Sequence, residues 1–536
     1  MSKQTNLRLY EFHKSLYEKA LQEASSHAPY DAPSVIKYSK EFYNSLPKTY
    51  KRTDLNTILK RLHDSDILLF GDFHTHRQTQ KGLIRILEAY GKIDPERQMV
   101  LAMEMFRATD QESINAYLRE QISEDELLKQ CDYDEHWGFP WENYRLVVEF
   151  ARENSIQIIG INTDMAGKDR LPKRDRFAAH ILGDVIQGYP ECLCACLIGE
   201  YHLADNHLPV YLDQEIRSVR ILTNIDEFYF TRANYEEYAS TEYINLKPNM
   251  YCILNSPPWI KWQSYSMWEE MKSAQEDYDP SILYTEEAFD IDYQIVSIMG
   301  HLTEFLDISL KESDLSNFHS YCELTSKDFT QLRNDRQVSN YTKSLMEARL
   351  AIDGIFYIPE TRFALLEKQT LNSIAELAGQ ILFCILHPPS KDMTLKEAFT
   401  HRVIMISAGI LASKTLNPRR KSPDIHQFES DLKRMHRKKL SEGDRIYREA
   451  LRYTIKLYYR LLLGRSRIDL SIINRDMRSS GIYSLMIGQL LGMETYQSIM
   501  NPKKAHINFS DLFQFSNQDI SITKVYRSLI RFLFQT

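Results

Sequence analysis

Between Ser65 and Pro257 short apolar runs alternate with amphipathic stretches, and no other feature constrains the fold as much. The runs are DILLFG (66–71), QMVLAMEMF (98–106), IQIIGIN (156–162) and ECLCACLIG (191–199), with SVRILTN (218–224) and MYCILNS (250–256) as later candidates. Helical patterns at 77–90, 109–130, 142–153 and 174–187 lie between the first four. Spacers of helix length suit parallel strands joined by right-handed crossovers rather than hairpins. The expected fold class is therefore α/β, a mainly parallel sheet flanked by helices.

A chain of 536 residues is too long for one ordinary core. The pattern divides it into a helical N-terminal extension (1–60), the α/β domain (61–265), an acidic, tyrosine-rich linker or wrapping arm (266–290) and a mostly α-helical C-terminal domain (291–536). In the last, ALLEKQTLNSIAELAGQILFCIL (364–386) is the clearest amphipathic helix, stopped by His387-Pro388-Pro389. The apolar fraction of 43% and charged fraction of 26% are those of a soluble globular protein. A net charge of -7 makes no case for a nucleic-acid binder as a whole. The start MSKQTNLRLYEFHK lacks a signal-peptide core and a lipobox, and no stretch approaches a membrane span, so a cytoplasmic location is expected.

Two local features have competing readings. CLCACLI alternates three cysteines, which could present thiolates on one face; yet Leu193, Ala195, Leu197 and Ile198 make both faces apolar, the pattern of a central parallel strand. Residues 419–467 carry fifteen Lys/Arg against six Asp/Glu. That excess suits an anionic partner such as nucleic acid or a membrane surface, but a solvated helix face is the preferred reading. Tyr447, Leu451, Ile455, Tyr458 and Leu462 recur there at core-stripe spacing.

In open parallel sheets ligands bind beyond the carboxyl ends of the strands. DILLF is followed by Gly71-Asp72-Phe73-His74, and CLCACLI by Gly199-Glu200-Tyr201-His202. QMVLAM ends in Glu104 and IQIIGI in Asn162. Two strands thus end in the same pattern: glycine, acid, aromatic, histidine. The glycine permits a sharp turn or close approach, and in extended chain the acid and histidine point the same way. His74, His202, Asp72 and Glu200 form a candidate metal set for zinc, manganese or iron. Glu104 is a further ligand or the base for a metal-bound water, with His74 and His202 the other catalytic candidates.

These blocks resemble the ChaN family, the haem-binding-uptake branch of the Tiki superfamily, which also includes erythromycin-esterase-like and TraB-like proteins. The resemblance covers about 65–265. It rests on GDFHTHRQTQKGLIRIL, MEMFRATDQESINAYL, Trp137 with Trp141-x-x-Tyr144 and FARENSIQIIGIN, RDRFAAHIL, and GEYHLADNHLPVYL. Asp72 and Thr75 stand where the family pattern has glutamate and aspartate. The resemblance implies haem or iron binding, with Tyr201, His202 and Asn162 as cofactor-binding residues and a homodimer as a candidate arrangement. The hydrolase branches imply instead a metal-dependent or acid-base hydrolase built on the two Gly-x-x-His motifs and Glu104. A third reading is a non-catalytic scaffold whose helical C-terminal domain binds a protein partner. The haem reading ranks first because the block pattern is closer to ChaN.

Overall fold

The computed structural model describes the chain outside residues 1, 28–32, 166–168, 231–241, 277–290, 323–333, 335–337, 339, 368–369, 391, 436–440, 466–476, 501–508, 514–520 and 535–536. Two compact units emerge: His13–Tyr284, and Met1–Phe12 with Thr285–Thr536.

The His13–Tyr284 unit is built on eight strands: β1 (Lys51–Thr53), β2 (Ile67–Asp72), β3 (Met99–Arg107), β4 (Gln157–Asn162), β5 (Leu193–Gly199), β6 (Ser218–Thr223), β7 (Tyr243–Lys247) and β8 (Met250–Ile253). Their order is β1-β7-β8-β6-β2-β5-β3-β4. Every pairing from β8 to β4 is parallel; β7 runs antiparallel to β8 and β1. The six strands expected from the apolar runs form the parallel part. β2 and β5 are buried at every position, as a strand covered by helices on both faces must be. Cys194 and Cys196 lie in β5, where burial pushes the Cys194 thiol up to about 12.

Helices cover the sheet with one apolar face each. Arg77–Ile93 buries Leu83, Ile86, Leu87 and Tyr90, while Trp141–Glu153 buries Tyr144, Val147, Val148 and Ala151. The expected helical stretch 109–130 is two helices, Gln111–Leu118 and Glu124–Gln130. Ser123 starts the second with a capping box to Glu126. The 266–290 arm begins within the helix Pro258–Glu276; its remainder, 277–290, lies outside the described residues.

The β3–β4 ladder shifts register between Met103 and Arg107, and Gly160 makes this possible. A Cβ there would lie 2.2 Å from the Arg107 carbonyl oxygen. Gly160→Ala is expected to cost about 1–3 kcal/mol by forcing the two backbones apart. A fluorescence-monitored denaturation curve unchanged by the substitution would contradict this account.

In the second unit, a three-stranded sheet contains β9 (His319–Cys322), β10 (Ile355–Ile358) and β11 (Phe363–Leu366), ordered β10-β11-β9. The helix expected from 364 begins at Leu371, capped by Thr370, because Phe363–Leu366 pairs as a strand. Helices Leu371–Leu386, Leu395–Leu416 and Met477–Met500 form the helical core. Among the described residues no helix is long and apolar enough to cross a membrane.

Candidate functional site

β2, β5 and β3 are neighbours, so their carboxyl ends bring both Gly-x-x-His tails and Glu104 to one place. Gly199 is the meeting point. A Cβ built on it would lie 3.3 Å from His202 Cδ2, 3.3 Å from His74 Cε1 and 3.4 Å from Glu104 Oε2. The glycine thus allows two imidazoles and a carboxylate to close around the end of β5.

Each imidazole is backed by a carboxylate. His74 Nδ1 lies 2.8 Å from Asp72 Oδ2, which also accepts the Tyr144 hydroxyl at 2.7 Å; Gln80 donates to the other Asp72 oxygen at 2.6 Å. Burial keeps Tyr144 a phenol, its pKa well above the usual value. His202 Nδ1 lies 2.5 Å from Asp175 Oδ1, and Tyr38 donates to the second Asp175 oxygen. In both residues Nδ1 is occupied. Among the described residues no hydrogen bond reaches His74 Nε2, while His202 Nε2 lies 3.4 Å from Glu104 Oε1.

Glu104 accepts from Gly199 N at 2.7 Å and from Arg174 at 2.6 Å. Burial alone would raise its pKa, but the charges of His202 and Arg174 and the His202 hydrogen bond hold it well below the carboxylate range. For His202 burial favours the neutral form, yet Glu104 and Asp175 raise its pKa to about 9. At neutral pH the pair is an imidazolium facing a carboxylate.

The acid of the second tail does something different. Glu200 Oε1 faces Lys261 Nζ at 3.0 Å, and Asp226 Oδ1 lies 3.8 Å from the same ammonium. Lys261 is fully buried, its ammonium 4.6 Å from the Phe73 ring centre. Burial would strip its proton, but Glu200 and Asp226 outweigh that and keep it charged. The Glu200 pKa is raised, burial leading. Asp226 Oδ2 accepts from Tyr17 at 3.0 Å and Trp262 at 2.7 Å.

A cavity of about 910 Å³ opens onto these groups. Its walls include Trp137, Phe139, Trp262 and Tyr265, the imidazole of His74, and the guanidinium-bearing Arg170 and Arg174. Asn162, at the end of β4, also lines it; its amide oxygen accepts from Thr163 N at 2.8 Å. Tyr201 turns its ring toward Phe42 and Tyr43, with centroids 5.4 and 6.1 Å away, and burial pushes its pKa up to about 12. Among the described residues no group of three or more His, Cys, Asp or Glu is disposed to hold a metal ion.

The strand-end argument does not reach Asp175, Arg174, Tyr144, Tyr38 or Lys261, all of which lie on helices. The first two open the block RDRFAAHIL, and Tyr144 stands in Trp141-x-x-Tyr144. Those blocks carry the signal; for Tyr38 and Lys261 the sequence gives none.

The fold and the site together define an α/β unit in which carboxylate-backed imidazoles meet at the strand ends. Residues 58–175 match the family described as "Haem-binding uptake, Tiki superfamily, ChaN", so this part of the chain is ChaN-like. A solved structure titled "Cofacial heme binding to ChaN of Campylobacter jejuni" aligns at 16% identity, covering 32% of this chain and 86% of that one, with a TM-score of 0.26. No curated protein matches the chain.

Proposed function

We propose that the His13–Tyr284 unit binds haem in the strand-end cavity, with His74 as the ligand to its iron. The observation that carries this reading is a cavity of about 910 Å³ that combines aromatic walls with an imidazole whose Nδ1 is already held by a carboxylate. That volume lies in the upper range for small-molecule and cofactor sites, about 300–1,000 Å³. Bound haem would supply an iron centre able to accept an imidazole nitrogen. A carboxylate on the far nitrogen orients such a ligand, and Asp72 stands at that place for His74. The ChaN-like match over residues 58–175 supports the same ligand.

The donor set fits through His74 better than through Tyr201 or His202. Tyr201 is held as a phenol and His202 as an imidazolium; each would first have to lose a proton. Arg170 supplies positive charge for the carboxylates of haem, while the Arg174 guanidinium is shared with Glu104. A lone iron, manganese or zinc ion fits less well. Asp72 is engaged by Tyr144 and Gln80, and Glu200 by Lys261.

Titration of the full chain with haemin is expected to shift the Soret band saturably, and His74→Ala to abolish the shift. Asp72→Asn should weaken binding by about 10–100-fold by releasing the imidazole. An unchanged Soret band, or equal binding by His74→Ala, would refute the assignment.

One observation favours a second reading, acid-base hydrolysis: the imidazolium of His202 sits beside ionised Glu104. Here His202 donates a proton. Glu104, held so far below the carboxylate range, is too weak a base to take one, so His74 acts as the base. Ester hydrolysis that disappears in His202→Gln would support this reading; its absence from the purified wild type would reject it.

A further inference from the structure

We propose that the helical unit docks on an anionic lipid surface through the C-terminal ends of the helices Glu442–Leu462 and Ile522–Phe534. The inference is independent of the ligand held by the other unit. Tyr458 and Phe534 meet with ring centroids 5.8 Å apart, setting the two helix ends side by side. Of the ten exposed large apolar residues among the described residues, four gather there: Tyr459 (49%), Leu462 (50%), Leu463 (73%) and Phe532 (46%). The stripe expected from sequence placed Leu462 in the core. Instead the helix buries Ala450, Leu451, Leu457 and Leu461 and leaves Leu462 outside.

Along the two helix ends themselves the charge has one sign. Neither Ala450–Arg465 nor Ile522–Phe534 contains an Asp or Glu. Arg452 and Lys456 are exposed on the helical stripe that continues to Tyr459 and Leu463. Lys524, Arg527 and Arg531 form the exposed stripe of the second helix. The acids near the patch stand on other elements: Glu429 accepts the Tyr459 hydroxyl at 2.6 Å, and Glu494 and Asp424 lie close enough to act on Tyr458. Cations near a helix C-terminus complement its dipole, which accounts for some of them. It does not account for Leu462, Leu463 and Phe532 left in water between them.

Exposed apolar tips set among lysine and arginine match the two layers of an anionic membrane surface: the tips reach the acyl boundary and the cations meet the headgroups. Nucleic acid would satisfy the cations and leave the leucines uncovered. The helix Ile522–Phe534 buries Val525, Tyr526, Leu529, Ile530 and Leu533 in its own unit, so only its end is available. Docking is therefore peripheral and depends on charge.

The test is sedimentation of the full chain with vesicles of phosphatidylcholine alone or mixed with phosphatidylserine. Binding is expected to the mixed vesicles only and to weaken as salt rises. Each basic residue near the surface is worth about fivefold in affinity, so Lys456→Gln/Arg527→Gln/Arg531→Gln should bind about a hundredfold more weakly. Leu463→Asp/Phe532→Asp should also lose binding while its thermal melting stays that of the wild type, since both side chains are exposed. Several outcomes would overturn the proposal: equal binding to both vesicle types or to neither, or a charge variant that binds like wild type. A concentration-dependent dimer abolished by Leu463→Asp would reassign the patch to a second copy of the chain. Tight binding to duplex DNA, with none to mixed vesicles, would reassign it to nucleic acid.

Discussion

Lys261→Met is expected to destabilise the His13–Tyr284 unit by about 3–5 kcal/mol, the usual cost of removing one partner from a buried ion pair. Methionine fills similar space, so the loss is one of charge rather than volume. Without the ammonium, Glu200 and Asp226 remain buried with no cation between them, and each has an oxygen without a hydrogen-bond partner. All five tryptophans (Trp137, Trp141, Trp259, Trp262 and Trp268) lie in this unit, so urea denaturation followed by tryptophan fluorescence reads its stability directly. Lys261→Met/Glu200→Gln/Asp226→Asn should recover much of the loss, because a neutral cluster has no charge to strand. A Lys261→Met protein within about 1 kcal/mol of wild type would show that the cluster is not charged as described.

This cluster also shows how the sequence encodes the site unevenly. Strands announce themselves because burial on both faces demands unbroken apolar runs, and the parallel part of the sheet follows from them. Residues at the ends of those runs are then legible by position, which is how His74, Glu104, Asn162 and His202 come into view. β1 escapes notice because it is a three-residue edge strand with no buried position and two charges, Lys51 and Arg52; β7, next to it, is too short to show a clear apolar run before Lys247. Lys261 escapes for another reason. It follows Pro257-Pro258 in a segment that looks like the end of the domain, and only the tertiary fold returns it to Glu200.

The segment before Leu371 illustrates a further limit. FALLEKQTLNS has apolar residues that suit either a buried strand or the first turn of a helix, and periodicity cannot separate the two over four residues. Pairing with β9 and β10 decides for a strand. Within the site, the sequence shows which groups are present but not what each faces. Asp72 and Glu200 occupy equivalent places in their tails. One holds an imidazole and the other an ammonium.

Asp175→Ala is expected to have an effect comparable to that of Lys261→Met, about 3–5 kcal/mol at pH 7, and one that depends on pH. In the folded chain His202 titrates at about 9, against an ordinary value of 6.5. A group with a raised folded pKa stabilises fully below its unfolded value, and that contribution is lost as pH rises through the folded value. The wild-type unit should therefore weaken as pH climbs through about 9, where the His202 imidazolium loses its proton. Glu104 has the opposite sign: its pKa is depressed, so its contribution disappears as pH falls below the ordinary carboxylate value. Removing Asp175 takes away the carboxylate 2.5 Å from His202 Nδ1 and leaves Glu104 as its counter-charge. The loss of stability should then be complete at lower pH, and the gap between variant and wild type should be wide at pH 7 and narrow at pH 10. Fluorescence-monitored urea curves at the two pH values measure that gap. An equal gap at both would mean that Asp175 packs against His202 without holding its charge.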